Sequence, residues 1–120
     1  MLATAIAFTN ADAHFAYGMA DELVSRHTPR DPGTRGGLLA AVFIRDRART
    51  LGASAVLDRF RSQTPVGERD FSNVAADWRV RPSGPWVVVV SHFDTKPGAH
   101  CPGANDGAST SGLLLSLARL

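Results

Sequence analysis

Cysteine is almost missing from this chain. Cys101 is the single one, so no disulfide can close within it, and cysteine usage does not indicate a redox compartment. No apolar run reaches the roughly 18 residues that a membrane-spanning helix needs. Runs of like charge are also absent. The arginines are scattered from Arg26 to Arg119, not gathered into a basic stripe with interleaved aromatics, and the net charge is only +2. Nucleic acid is therefore not an expected partner. No internal repeat, low-complexity segment or linker divides the 120 residues, which leaves room for one domain with a modest core.

What is present is the composition of a soluble globular protein, 44% hydrophobic and 20% charged. Residues 1–13 are mildly apolar and end Ala11-Asp12-Ala13. They read as a flexible N-terminus or a signal-peptide remnant, though a basic start and a long apolar core are lacking. Asp12 can cap a first helix carrying Phe15, Met19 and Leu23 on one face, with Ala16, Ala20 and Val24 beside them. That helix should end near His27. Pro29 to Gly37 is dense in turn residues. A second helix is expected from about Gly37 to Leu51, with Ala40, Ile44, Ala48 and Leu51 as its apolar stripe and Gly52 as its stop.

Ala53 to Arg61 and Phe71 to Val80 read as neighbouring antiparallel strands around the turn Thr64-Pro65-Val66-Gly67. Val74, Ala76, Trp78 and Val80 would share one face. Pro82 to Pro85 is the next turn. Trp86 to Ser91 is apolar throughout, the pattern of a central strand covered on both faces. An apolar helix with Leu113, Leu114, Leu115 and Leu117 should start near Asp106 or Gly107, and Leu113, Leu114 and Leu117 are expected to dock it on the sheet. The whole predicts an α/β fold, a mixed sheet flanked by helices.

Chemistry concentrates where the predicted central strand stops, at His92-Phe93-Asp94-Thr95. In open α/β sheets, ligands bind outside the carboxyl ends of strands. Residues two apart in a strand point to the same side, so Asp94 can fix the His92 tautomer, as carboxylates do for metal-binding histidines. An isolated His-x-Asp is more often just a loop pair. Asp106 adds a second carboxylate at the next helix start, among the small residues Gly103, Ala104 and Gly107. An ordinary N-cap accounts for Asp106 alone. A metal at a helix N-terminus works against the dipole and needs carboxylate charge to hold it. These three side chains should converge, with Asp106 facing the His92 ring across a gap sized for a metal. His100 and Cys101 are conceivable zinc ligands but are adjacent, which suits chelation poorly. A Cys101 nucleophile with His92 as base is a further alternative. Ser109-Thr110-Ser111 does not make a Gly-x-Ser-x-Gly elbow and reads as the first turn of a helix.

Together these stretches resemble the zinc-dependent exopeptidase family of bacterial leucyl aminopeptidases and glutaminyl cyclases, family twenty-eight of the metallopeptidases. Thr28-Pro29-Arg30-Asp31-Pro32-Gly33-Thr34 is similar to its Gly-Pro-Arg-x-Pro-Gly-Ser/Thr segment. Leu51-Gly52, Phe60 and Phe71-Ser72-Asn73-Val74-Ala75 follow in the family's order. Ser91-His92-Phe93-Asp94-Thr95 resembles its His-Tyr-Asp-Ser/Thr strand end, and Gly103-Ala104-Asn105-Asp106 its Gly-Ala-x-Asp element. The resemblance covers residues 14–120, taken as the N-terminal part of the catalytic domain.

The resemblance implies zinc, one ion or two, with His92 and Asp106 as metal ligands and Asp94 as the catalytic-site residue that supports the histidine. It implies attack on a peptide by metal-activated water, so an aminopeptidase-like hydrolase with a peptide as its partner. It also implies an unusual backbone at Asp106-Gly107, a cis peptide in many relatives, and it favours an extracytoplasmic or secreted location. The family's general-base glutamate and its last histidine have no counterpart in these 120 residues, so the chain alone is expected to hold zinc weakly. Lys96 after His-Phe-Asp-Thr and the run Ser109 to Arg119 pull toward the alternative, a glutaminyl-peptide cyclotransferase, which uses one zinc and need not ligate it through His92. A non-enzymatic binding domain of the same fold is the remaining rival.

Overall fold

The computed structural model describes residues 7–78, 83–98 and 100–120. The first helix, α1, runs Asn10–Arg26. Its cap is Thr9, whose hydroxyl accepts from the Asp12 N–H at 3.3 Å while the Thr9 N–H donates back to the Asp12 carboxylate at 3.0 Å. Asp12 is thus the reciprocal member of a capping box and not the cap itself. The helix also takes in residues 10–13, the end of the stretch that the sequence assigns to the N-terminal segment. His27 closes the C-terminal end, as expected.

The second helix, α2, spans Arg35–Thr50, capped by the Thr34 hydroxyl, which accepts from the Gly37 N–H at 3.2 Å. It begins two residues earlier than expected because Thr34, not a later residue, supplies the cap. Leu51 and Gly52 end it where the sequence placed the stop.

An antiparallel hairpin follows, β1 (Ser54–Thr64) and β2 (Gly67–Asp77), turning at Pro65-Val66. Its register pairs Ala55 with Ala76 and Leu57 with Val74. Opposed residues share a face, so the expected stripe of Val74, Ala76 and Trp78 is joined by Ala55 and Leu57. Ala55 and Trp78 pack into a cluster with Ala48, Leu51 and Leu115. The Trp78 ring N–H donates to the Leu51 carbonyl at 3.1 Å, tying the hairpin to the end of α2. Phe60 stacks on Phe71 on the other face, ring centres 5.5 Å apart. Val80 and Pro82, assigned from sequence to the second strand and the next turn, lie outside the described residues.

The last helix, α3, spans Ser109–Leu117 after a kinked turn at Ala104–Ala108. It docks differently from expectation. Leu113 and Leu117 are exposed, and the buried positions are Ser111, Gly112, Leu115 and Ser116. The small residues let α3 lie directly against α1. A Cβ on Gly112 would fall 2.2 Å from the Ala16 carbonyl oxygen, and Ser116 donates to the Asp12 carbonyl at 2.7 Å. Leu23, Ala40 and Ala108 form a second cluster, joined by Val24, Phe43, Ile44 and Phe93.

The expectation of a buried central strand at Trp86–Ser91 is not met. Val87 to Val90 are 59–84% exposed, and the sheet formed by the described residues has two strands, β1 and β2. The run has the composition of a strand covered on both faces, but Val87 to Val90 stand open to solvent. Among the described residues no helix is long and apolar enough to cross a membrane.

Candidate metal centre

Three elements meet beside His92: the segment leaving Val90, the kinked turn, and the first turn of α3. Ser91 and Ser111 stitch them together. Ser91 Oγ donates to Thr110 Oγ1 at 2.6 Å. Ser111 Oγ lies 2.7 Å from the Gly107 carbonyl and 3.3 Å from the His92 carbonyl. The three serine and threonine residues read from sequence as first-turn residues are in that turn, and two of them fasten it to the histidine's segment.

The turn itself is forced by close approach. Asp106 sits at φ −90, ψ 95 and Gly107 at φ +93, ψ −39, both non-helical. A Cβ on Gly107 would lie 3.2 Å from the His92 ring and 3.2 Å from the Asp94 carbonyl oxygen. Positive φ and the missing side chain are both needed there. The unusual backbone expected at Asp106-Gly107 is present in this form. The cis bond is not, since the described residues have their cis peptide at Thr28–Pro29.

His92 stands between two carboxylates. Its Nδ1 is 3.1 Å from Asp94 Oδ1, and its Nε2 is 3.0 Å from Asp106 Oδ1. All three side chains are open to solvent, Asp106 the most at 77% exposed. A neutral imidazole has one N–H. When Nδ1–H donates to Asp94, the Nε2 lone pair faces a carboxylate oxygen, and two electron-rich atoms at that distance need a cation between or beside them. A second ring proton supplies one; so does a metal ion. Zinc bonds of about 2 Å to nitrogen and oxygen at a tetrahedral angle separate the two donors by roughly 3.3 Å, close to the observed span. His92 and Asp106 therefore fit a shared metal, with Asp94 orienting the ring from behind.

Among the described residues there is no group of three or more His, Cys, Asp or Glu side chains that could hold an ion. Asp94 is on the wrong ring nitrogen to be a third ligand. His100 and Cys101 are both exposed, and no ion-holding group includes them. Both nitrogens of His92 are turned to carboxylates, so it is not in place as a base for Cys101. Two surface grooves, one along α1 and the start of α3, the other between His27 and Leu39, include none of His92, Asp94 and Asp106.

The sequence reading did not single out Arg30, Asp31, Thr95 or Ser111 as site residues. Thr95 is buried, donating to Asp31 Oδ1 at 2.6 Å and accepting from the Arg30 N–H at 3.0 Å. Arg30 and Asp31 lie in the segment that resembles the family's Gly-Pro-Arg-x-Pro-Gly-Ser/Thr stretch, but no local spacing links them to Thr95, more than 60 positions away.

A helix pair, a hairpin and a His-x-Asp facing a carboxylate across a kinked turn define a zinc-exopeptidase-like α/β fold. Comparison points to the particular family: residues 73–120 match Peptidase family M28. It is 39% identical over 97 residues to a glutaminyl-peptide cyclotransferase-like protein of Bos taurus, covering 75% of this chain and 25% of that protein. To the Bos taurus glutaminyl-peptide cyclotransferase it is 37% identical over 98 residues, covering 75% and 27%. The chain thus spans about a quarter of the length of these curated relatives. The crystal structure of Fimbriiglobus ruber glutaminyl cyclase superimposes with a TM-score of 0.83 at 26% identity, over 96% of this chain and 42% of that one. A leucine aminopeptidase precursor from Bacteroides thetaiotaomicron shares the fold, with a TM-score of 0.75 at 22% identity over 96% and 43%.

Proposed function

We propose that this chain is the N-terminal, metal-bearing part of a zinc-dependent enzyme that acts on the N-terminal residue of peptides. The observation that carries the reading is the placement of the His92 ring between Asp94 and Asp106, an arrangement that calls for a cation at Nε2. A bound zinc would polarise a carbonyl or activate water there. Asp106 would hold it, and Asp94 would keep the imidazole in one tautomer.

Two reactions fit this site. Hydrolytic removal of the N-terminal residue is the reading that the motifs put first. Cyclisation of an N-terminal glutaminyl residue is supported by the names of both Bos taurus relatives and of the Fimbriiglobus ruber structure, and we take it as the reaction. In it the α-amine forms a bond to the side-chain amide carbon, the C–N bond to the amide nitrogen breaks, and the proton lost by the amine leaves with ammonia. Incubating the full-length protein with a glutaminyl peptide and with an aminoacyl-p-nitroanilide separates the two. We expect ammonia and a pyroglutamyl peptide from the first, abolished by a chelator and restored by zinc. Release of p-nitroaniline without cyclisation would replace cyclisation with hydrolysis. Neither product from a zinc-loaded protein would leave the non-enzymatic reading.

A further inference from the structure

Arg30 is fully buried and the largest side chain to be so, yet among the described residues it forms no ion pair. Its partners are neutral oxygens from three separate stretches of chain. Nε donates to the Phe93 carbonyl at 2.7 Å. Nη2 donates to the Gly103 carbonyl at 3.0 Å. Nη1 lies 3.0 Å from the Pro102 carbonyl and from Thr28 Oγ1, and 3.4 Å from the Leu23 carbonyl at the end of α1. The Arg30 backbone adds two bonds, N–H to Thr95 Oγ1 at 3.0 Å and C=O from the Thr95 N–H at 3.3 Å.

These partners are not scattered. Phe93 is the residue between His92 and Asp94. Gly103 opens the turn that carries Asp106. One rigid, planar guanidinium therefore grips both sides of the site at the backbone, its fork fixing their separation as a flexible ammonium could not. Burying a charge whose direct hydrogen-bond acceptors are neutral is costly: burial lowers the proton affinity of Arg30, opposed in part by the nearby Asp94 carboxylate. A site that needed only stability would be served as well by apolar packing.

We propose that Arg30 is a positioning residue for the metal centre: it sets the distance between the His92–Asp94 segment and the Asp106 turn, and through it the affinity for the metal. The inference rests on the zinc reading of the preceding section. The Arg30 side chain bonds to backbone carbonyls and Thr28, not to the side chains of His92 or Asp106. Its effect should resemble that of the outer partners of metal ligands, whose loss costs about 10–100-fold in affinity.

The test is zinc affinity of the full-length protein, read by competition with a chromophoric chelator well below the melting temperature, for wild type, Arg30→Ala, Arg30→Lys and Leu23→Ala. Leu23 is equally buried and belongs to the core, so Leu23→Ala controls for lost stability. Arg30→Ala and Arg30→Lys should each weaken zinc binding tenfold or more, and Leu23→Ala should lower the melting temperature without moving zinc affinity. Where Arg30→Ala gives no folded protein, Arg30→Lys carries the test. Wild-type affinity in a folded Arg30→Lys, or an equal loss in Leu23→Ala, overturns the positioning role while leaving the zinc site standing. A wild-type protein that binds no zinc overturns both.

Discussion

At the scale of the residue, the site is a set of short-range constraints that leave little freedom. A side chain at Gly107 would crowd the His92 ring at 3.2 Å, and its φ of +93 is one that side-chain-bearing residues rarely adopt. That requirement was legible: a glycine directly after an aspartate at a helix start predicted a sharp turn. The roles of Arg30 and Thr95 were not legible, since their partners are backbone carbonyls and a carboxylate 63 to 73 positions away, and no local spacing reports such pairs. The assignment of Asp12 as a cap missed by one role for a similar reason. Both members of a capping box are cap-forming residue types, and the sequence does not say which one stands outside the helix. His27 offers a residue-scale prediction. Its ring packs against Phe43 at 5.0 Å, and burial holds its pKa below the ordinary value of 6.5, assisted by Arg26 and Arg30 and opposed by Glu22. A histidine with a lowered folded pKa contributes fully above pH 6.5, and its contribution is lost as pH falls from there through the folded pKa. Urea unfolding of the full-length protein between pH 7 and pH 5 should show a loss of stability that is smaller in His27→Phe. Parallel pH profiles for the two proteins would refute this.

At the scale of the element, both long helices and the hairpin were readable because their apolar residues repeat at the helical or strand period, with turn residues at the breaks. The hairpin's inner face, Val74, Ala76 and Trp78, came directly from alternation. The docking of α3 was misjudged. A run of leucines suggested the leucines as the contact, but close helix packing is made by small residues: Gly112 and Ser116 meet α1 directly, and Leu115 is the leucine of the run that is buried. Periodicity gives a helix its faces. It does not rank a face of leucines against a face of glycine and serine when both are apolar enough to bury. The α1–α3 contact predicts a large cost for a small change. Gly112→Ala would place a methyl against the Ala16 carbonyl oxygen, and the helices must separate to admit it. Overpacking of this kind costs about 1–3 kcal/mol. Chemical denaturation should register a loss in that range, with Leu113→Ala, on the exposed side of the same helix, nearly neutral. A neutral Gly112→Ala would show that α3 is free to shift on α1.

At the scale of the whole molecule, the valines 87–90 mark what the described residues do not provide. Four consecutive exposed valines have the composition of an interior strand, and the burial expected of them is not met among the described residues. The same holds for the metal centre. His92 and Asp106 face one another at 3.0 Å, only two donors for the proposed zinc where a catalytic ion normally has three protein ligands, and the chain spans about a quarter of its curated relatives. The motifs carried the family because His-x-Asp and Gly-Ala-x-Asp encode a local geometry that 120 residues suffice to build. The reaction is set by residues around the substrate, and the motifs left it open between hydrolysis and cyclisation. The central claim is that Asp106 holds a metal, and its exposure makes that claim easy to isolate from folding. The most direct measurement is equilibrium zinc binding by the full-length protein and by Asp106→Ala, with melting temperature recorded on the metal-free forms. The account predicts tight, stoichiometric zinc in the wild type and a loss of affinity of about 100-fold or more in Asp106→Ala, with the two metal-free proteins melting alike. Equal zinc affinity in wild type and variant would contradict it.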